Sequence, residues 1–232
     1  MFVGHYGPSF AGAAFKRSIP LWILFVAVQL LDVVWSVFVL LGVEKVRIVP
    51  GITRTNPLDL YYMPYTHSLV AVLGWTLAAG VAYWRFRKVD GWQGAAVVSA
   101  AVFSHWVLDL VVHRPDLPLY GDSSKVGLGL WNFPITALAL ELVLLFGGMY
   151  FYLRTTEAIA TVGRYGMVIF GLLMACVQVV AFFGPPPSSD HAAAATALAL
   201  YATFAVIAYW LERKRLPRAV QASYRSHPIV AR

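Results

Sequence analysis

Tyr165-Gly-Met-Val-Ile-Phe-Gly-Leu-Leu-Met-Ala-Cys-Val-Gln-Val-Val-Ala-Phe-Phe183 is the stretch that decides the fold. It carries no charge, and its one strongly polar side chain is Gln178. A helix of about 19 residues, rising about 1.5 Å per residue, is about 28 Å long and matches the hydrocarbon core of a bilayer. Arg164 stands before the run and Gly184-Pro185-Pro186-Pro187 follows it, so it begins and ends as a membrane span does.

Working outward, five further apolar runs of similar length appear at residues 21–43, 68–84, 94–112, 131–153 and 192–211. Together they predict an all-α, polytopic transmembrane helix bundle of about six spans. Residues 2–15 form a shorter apolar run that stops at Lys16-Arg17. They predict a short N-terminal helix, partly inserted. The charges follow this run instead of preceding it, which is not the order of a cleaved signal peptide. Composition agrees with the bilayer as solvent: 59% of residues are hydrophobic and 12% charged, against roughly a quarter charged in soluble domains. Residues 1–215 read as a single transmembrane domain, and 216–232 as a basic, disordered cytoplasmic tail.

The net charge of +7 does not point to nucleic acid, because the basic residues sit at the ends of apolar runs and not on one face. With six spans, 13 of the 18 Lys and Arg fall on the side of Lys16 and the C-terminal tail, and 5 on the other. The positive-inside rule then places the C-terminus in the cytoplasm. The single cysteine, Cys176, makes no intramolecular disulfide and reads as a small core residue.

Ionisable groups inside spans are costly and mark function by default. His105, Asp109 and His113 are spaced at steps of four and share one stripe of a helix. Taken alone, that stripe fits a buried hydrogen-bonded pair that locks two helices slightly better than it fits a ligand set. Depth adds to it. Counting about 1.5 Å per residue from the basic edge puts His5, Asp32, His105, Asp109 and His67 at about 16, 18, 17, 23 and 27 Å. Four segments thus bring His or Asp to a similar layer, and convergence of four predicts a site. Imidazole with carboxylate is a ligand set for zinc, the expected metal, with manganese or iron as alternatives.

In chain order, Gly4-His5, Leu30-Leu31-Asp32, Thr66-His67-Ser68 and Ser104-His105 with Asp109 resemble the LexA-binding, inner-membrane-associated metal-dependent hydrolases. The loop Pro115-Asp116-Leu117-Pro118-Leu119 is similar too, so the likeness covers residues 4–132. It implies a helical protein of the bacterial inner (plasma) membrane, with His5, Asp32, His67, His105 and Asp109 as metal-site residues. His113 is added by spacing alone. Where the family often carries a further His upstream of Thr-His-Ser, this chain reads Tyr62-Met63-Pro64, and the first-span acidic cluster is reduced to Asp32.

These residues predict a membrane-embedded metal-dependent hydrolase that acts on a lipid or lipid-linked substrate through metal-activated water. Asp109 or Asp32 would ligate or serve as base. Arg114 is expected either to hold a lipid phosphate or to pair with Asp116, and Asn132 to reach the site from the fourth span. Gln29 would orient a ligand or bond a neighbouring segment, and Glu141 would be a buried hydrogen-bonded acid. Ser68 and Ser104 read as helix-end hydroxyls, not nucleophiles. Two other functions fit the same residues: a transporter using buried His and Asp for ion or proton coupling, and a non-catalytic scaffold with a structural metal. The absence of Gly/Pro-broken helix pairs counts against transport. Membrane lipids are the expected partners; nucleic acid is not.

Overall fold

A computed structural model describes residues 1–218 of the chain. It is an all-α bundle with two small two-stranded sheets. The elements are α1 (Tyr6–Phe15), α2 (Leu21–Val28), α3 (Leu30–Leu40), β1 (Lys45–Ile48), β2 (Leu58–Tyr62), α4 (Leu69–Phe86) and α5 (Gly91–Val112). Then come α6 (Pro134–Thr155), β3 (Thr156–Ala158), α7 (Thr161–Phe183), α8 (Asp190–Glu212) and β4 (Arg215–Pro217). Among the described residues α4 to α8 are each long and apolar enough to cross a membrane, and α2 with α3 is long and apolar enough as a bent pair.

That bend, 54° at Gln29, is the main departure from the sequence reading, which has one unbroken helix there. No Gly or Pro causes it. Tertiary bonds hold it instead: the Val28 carbonyl accepts from His105 Nδ1 at 2.6 Å, and Gln29 Nε2 donates to the Phe2 carbonyl at 3.3 Å. The other predicted spans recur with ends shifted by a few residues.

The short N-terminal helix is the centre of the bundle. Tyr6, Phe10 and Ala13 of α1 are fully buried, with Phe25, Phe170 and Phe204 packed around them. Small residues let α1 approach α6 closely, the usual device where lipid supplies no hydrophobic drive between helices. A Cβ on Gly7 would lie 2.4 Å from the Leu144 carbonyl oxygen, and one on Gly148 would lie 2.2 Å from that of Gly7. The start of the segment is anchored by Glu141, whose carboxylate accepts from the backbone amides of Phe2 (3.0 Å) and Gly4 (2.6 Å). Glu141 is therefore the buried, bonded acid that its position predicts.

The loop between the first two spans is not open. β1 and β2 pair antiparallel, with Arg47 opposite Asp59 and their side chains bonded. At the other end of the bundle β3 pairs with β4, so Arg215, Leu216 and Pro217 are extended and held, while the rest of the predicted tail from residue 219 onward lies outside the described residues. Cys176 is exposed on the bundle's outer face; it is not the core residue predicted, because Met174 and Gln178 take the inward positions of that turn.

Candidate metal centre

The polar residues converge where α3 begins, α5 ends and α4 has not yet started. Asp32 lies in the first turn of α3, just past the bend. His67 precedes α4, held by Trp106 Nε1, which donates to its carbonyl at 3.0 Å. Ser68 caps that helix by accepting from Ala71 N, and its hydroxyl donates to the Pro64 carbonyl; Ser104 donates to the Ala101 carbonyl. Ser68 is the helix-end hydroxyl expected, whereas Ser104 lies mid-helix in α5 and bonds back within it. His105 and Asp109 are successive turns of α5, and His113 closes that helix as its extended C-terminal cap. His5 arrives from the N-terminal 3₁₀ turn that leads into α1.

Two oxygens are the nodes. Asp109 Oδ2 lies 3.1 Å from His105 Nε2, 3.6 Å from His113 Nε2 and 3.8 Å from His67 Nε2. Asp32 Oδ1 lies 3.3 Å from His67 Nε2 and 3.5 Å from His105 Nε2. The remaining oxygens face elsewhere. Asp109 Oδ1 meets His5 Nε2 at 3.1 Å and the Met1 amino group at 2.5 Å, and Asp32 Oδ2 accepts from the Tyr201 hydroxyl at 2.8 Å. The His5 and His105 rings stack at 3.8 Å. All six predicted metal-site residues, His5, Asp32, His67, His105, Asp109 and His113, are thus brought together. His5, His105 and Asp109 form one set with ligand atoms within 4.8 Å of one another, and Asp32, His67 and His105 a second; each could hold a metal ion.

The partners of the far ring nitrogens fix which way the imidazoles face. His105 Nδ1 meets a backbone carbonyl, which only accepts, so this nitrogen carries the proton. His113 Nδ1 meets the Asp116 carboxylate at 2.8 Å, with the same result. For His67 the relay is longer. Thr66 Oγ1 donates to Glu44 Oε2 at 2.6 Å, so its one proton is used and it accepts from His67 Nδ1 at 2.7 Å. Glu44 also accepts from the Tyr65 and Thr66 amides. Burial pushes the Glu44 carboxyl upward, and its charged form is favoured in return by His67 and by these bonds.

Three imidazoles with Nδ1 so engaged therefore turn Nε2 toward two carboxylate oxygens. In this buried layer His105 Nε2 has no partner with hydrogen-bond geometry. Imidazole and carboxylate so gathered can be bridged by a proton or by a metal ion, and bonds of this kind to the far ring nitrogens are what orient metal-binding histidines. The donor set could hold a metal ion.

The centre forms the floor of a cavity of about 660 Å³. Asp32, His67, Asp109 and His113 line it, together with Trp131 and Tyr201. Trp131 packs on the His113 ring at 4.3 Å. No family model, no curated protein and no solved structure matches the chain.

The two residues predicted to touch substrate sit elsewhere. Asn132 is exposed and does not line the cavity; its neighbour Trp131 turns inward in its place. Arg114 bonds Asp59 and reaches Asp116 at 3.2 Å, which is the ion-pair alternative of the two predicted. Glu44 and Tyr201 were not among the sequence candidates. Neither has a flanking motif, and only the folded chain brings them to His67 and Asp32. His191 is exposed and paired with Asp190; His227 lies outside the described residues.

Proposed function

We propose that this protein is a membrane-embedded metal-dependent hydrolase acting on a lipid or lipid-linked substrate. One observation carries the reading: three histidine Nε2 atoms, each on a ring whose Nδ1 is already engaged, face Asp32 and Asp109 at the floor of a cavity within the spans. His105, His67, His113 and His5 with the two aspartates would hold the ion, zinc first and manganese or iron as alternatives. When bound, such an ion lowers the pKa of a water ligand toward neutrality. Asp32 is the better base, since it borders the cavity, is partly accessible and has one oxygen steadied by Tyr201. Asp109 is almost fully buried and acts as the shared ligand. The resemblance to the LexA-binding, inner-membrane-associated hydrolases supports the same assignment, since the quoted residues are the ones that converge.

The basic residues sort by end in a way that supports orientation. The end away from the centre holds Lys16, Arg85, Arg87, Lys88, Arg154 and Arg164. The positive-inside rule makes that end cytoplasmic and opens the centre to the opposite side of a bacterial inner membrane.

The test is elemental analysis of purified protein beside His105→Ala, followed by a lipid and lipid-linked ester screen. One or two equivalents of metal, lost in the variant together with any turnover, is the expected result. Metal-free wild type that takes up ions into proteoliposomes would favour transport. The bend at Gln29 is the feature that supports this second reading, because broken helices at mid-membrane are what transporters use.

A further inference from the structure

The cavity is not uniform. Its floor is acidic and holds the histidines. Its walls between α7 and α8 are mostly apolar or small, Val177, Val180, Ala181, Ala193, Ala197 and Leu200, with Gln178 and Thr196 as polar members. Its rim is the 49–57 loop between β1 and β2. Among the described residues, Arg54 in that loop is the one Lys or Arg that lines the cavity. Arg47 and Arg114 nearby are both committed to Asp59, whereas Arg54 is exposed and has no ion pair among the described residues.

The loop that presents Arg54 is built. Thr53 and Thr55 on either side of it are buried. Thr53 Oγ1 bonds the Asn56 carbonyl and amide, Asn56 Oδ1 accepts from Leu58 N, and Val49 N donates to the Pro57 carbonyl. Thr55 Oγ1 donates at 3.0 Å to the carbonyl of Trp131, the residue whose ring covers His113. The loop is thus tied to the centre through one residue.

We infer that the cavity binds a single membrane lipid with an anionic phosphate headgroup. The phosphate sits on Arg54 at the rim, an acyl chain runs between α7 and α8, and the headgroup linkage passes over the centre. An apolar wall fits a chain, and one unopposed guanidinium fits a phosphate. The acidic floor keeps a bare anion at the rim and so orders the molecule head outward. The binding follows from these residues; only the fate of the lipid rests on the hydrolase reading.

The test uses phosphatidic acid with a photoreactive diazirine in its acyl chain, added to the detergent-solubilised full chain, with labelled peptides mapped by mass spectrometry. Labelling should fall on the facing ends of α7 and α8, and excess unlabelled phosphatidic acid should compete it away while phosphatidylcholine does not. Arg54→Glu should weaken labelling by about tenfold, the loss of one charge-assisted contact, and Arg54→Lys should keep most of it. His105→Ala should lose metal yet still label. Labelling that ignores Arg54→Glu, or that phosphatidylcholine competes equally, overturns the proposal. Competition by glycerol phosphate as strong as by phosphatidic acid overturns the lipid as occupant. Expected labelling with no metal and no turnover in wild type would leave the lipid site standing and remove the hydrolase.

Discussion

Both ends of this bundle bury polar side chains, and they use them differently. At the end that carries β3 and β4, buried polar groups hold helix ends in place. Glu212 accepts from the first amide of α2 through both oxygens at 2.9 Å, Arg215 bonds the Thr156 hydroxyl and carbonyl, and Asp90 bonds Tyr83. Among the described residues, the groove between α7 and α8 at that end has no His, Asp or Glu in its walls. At the other end the partners are other ionisable side chains from four segments, their inner nitrogens are left facing acids, and a cavity reaches them. A buried charge in a span is therefore a poor guide by itself. What separates the two ends is the company each side chain keeps: backbone groups and hydroxyls of helix ends at one, imidazoles gathered on carboxylates beside a cavity at the other.

The contrast stands or falls first on the centre itself. His105→Ala and Asp109→Asn should each reduce bound metal from stoichiometric to background and abolish hydrolysis, because each touches a node shared by several ligands. Metal retained in both would make the two ends alike. A finer test lies one bond out. Thr66→Val removes the acceptor of His67 Nδ1 but no ligand, and should weaken metal affinity by about 10- to 100-fold, read by competition with a chelator. No change there would mean that the relay from Glu44 is only a loop clasp.

The opposite end supplies the smaller effects. Glu212→Ala should cost about 1 kcal/mol of stability through the lost cap on α2, seen as a lower melting temperature with metal content intact. Metal loss in that variant would show that the ends are coupled. His191→Ala should move neither metal nor stability, since that ring is exposed and bonds only Asp190.

Much of the architecture is legible in residue order. Length and polarity alone mark the spans, and the pattern of His and Asp at similar depth marks the centre. The bend at Gln29 is not legible, because residues 21–40 carry no helix breaker and the bend is held from outside by His105 and Phe2. The hairpin left a trace that a reading by hydropathy passes over: Lys45-Val46-Arg47-Ile48 alternates polar and apolar, as a half-buried strand does. Asn132 against Trp131 shows the limit of reasoning by position. A 3₁₀ turn puts adjacent side chains on different sides, and the apolar one faces in. Tyr201 hides in an alanine-rich helix, where its hydroxyl gains meaning only beside Asp32.

The close packing of α1 on α6 has a consequence for how the protein is made. Gly4 and Glu141, which bond each other, are 137 residues apart. The segment that carries His5 is too short to lodge across a bilayer by itself, and its seat does not exist until α6 has been synthesised and inserted. His5 is translated long before most of its neighbours and is docked after them. Completion of the ligand set is thereby a late event in biogenesis, and a half-built chain presents only part of it.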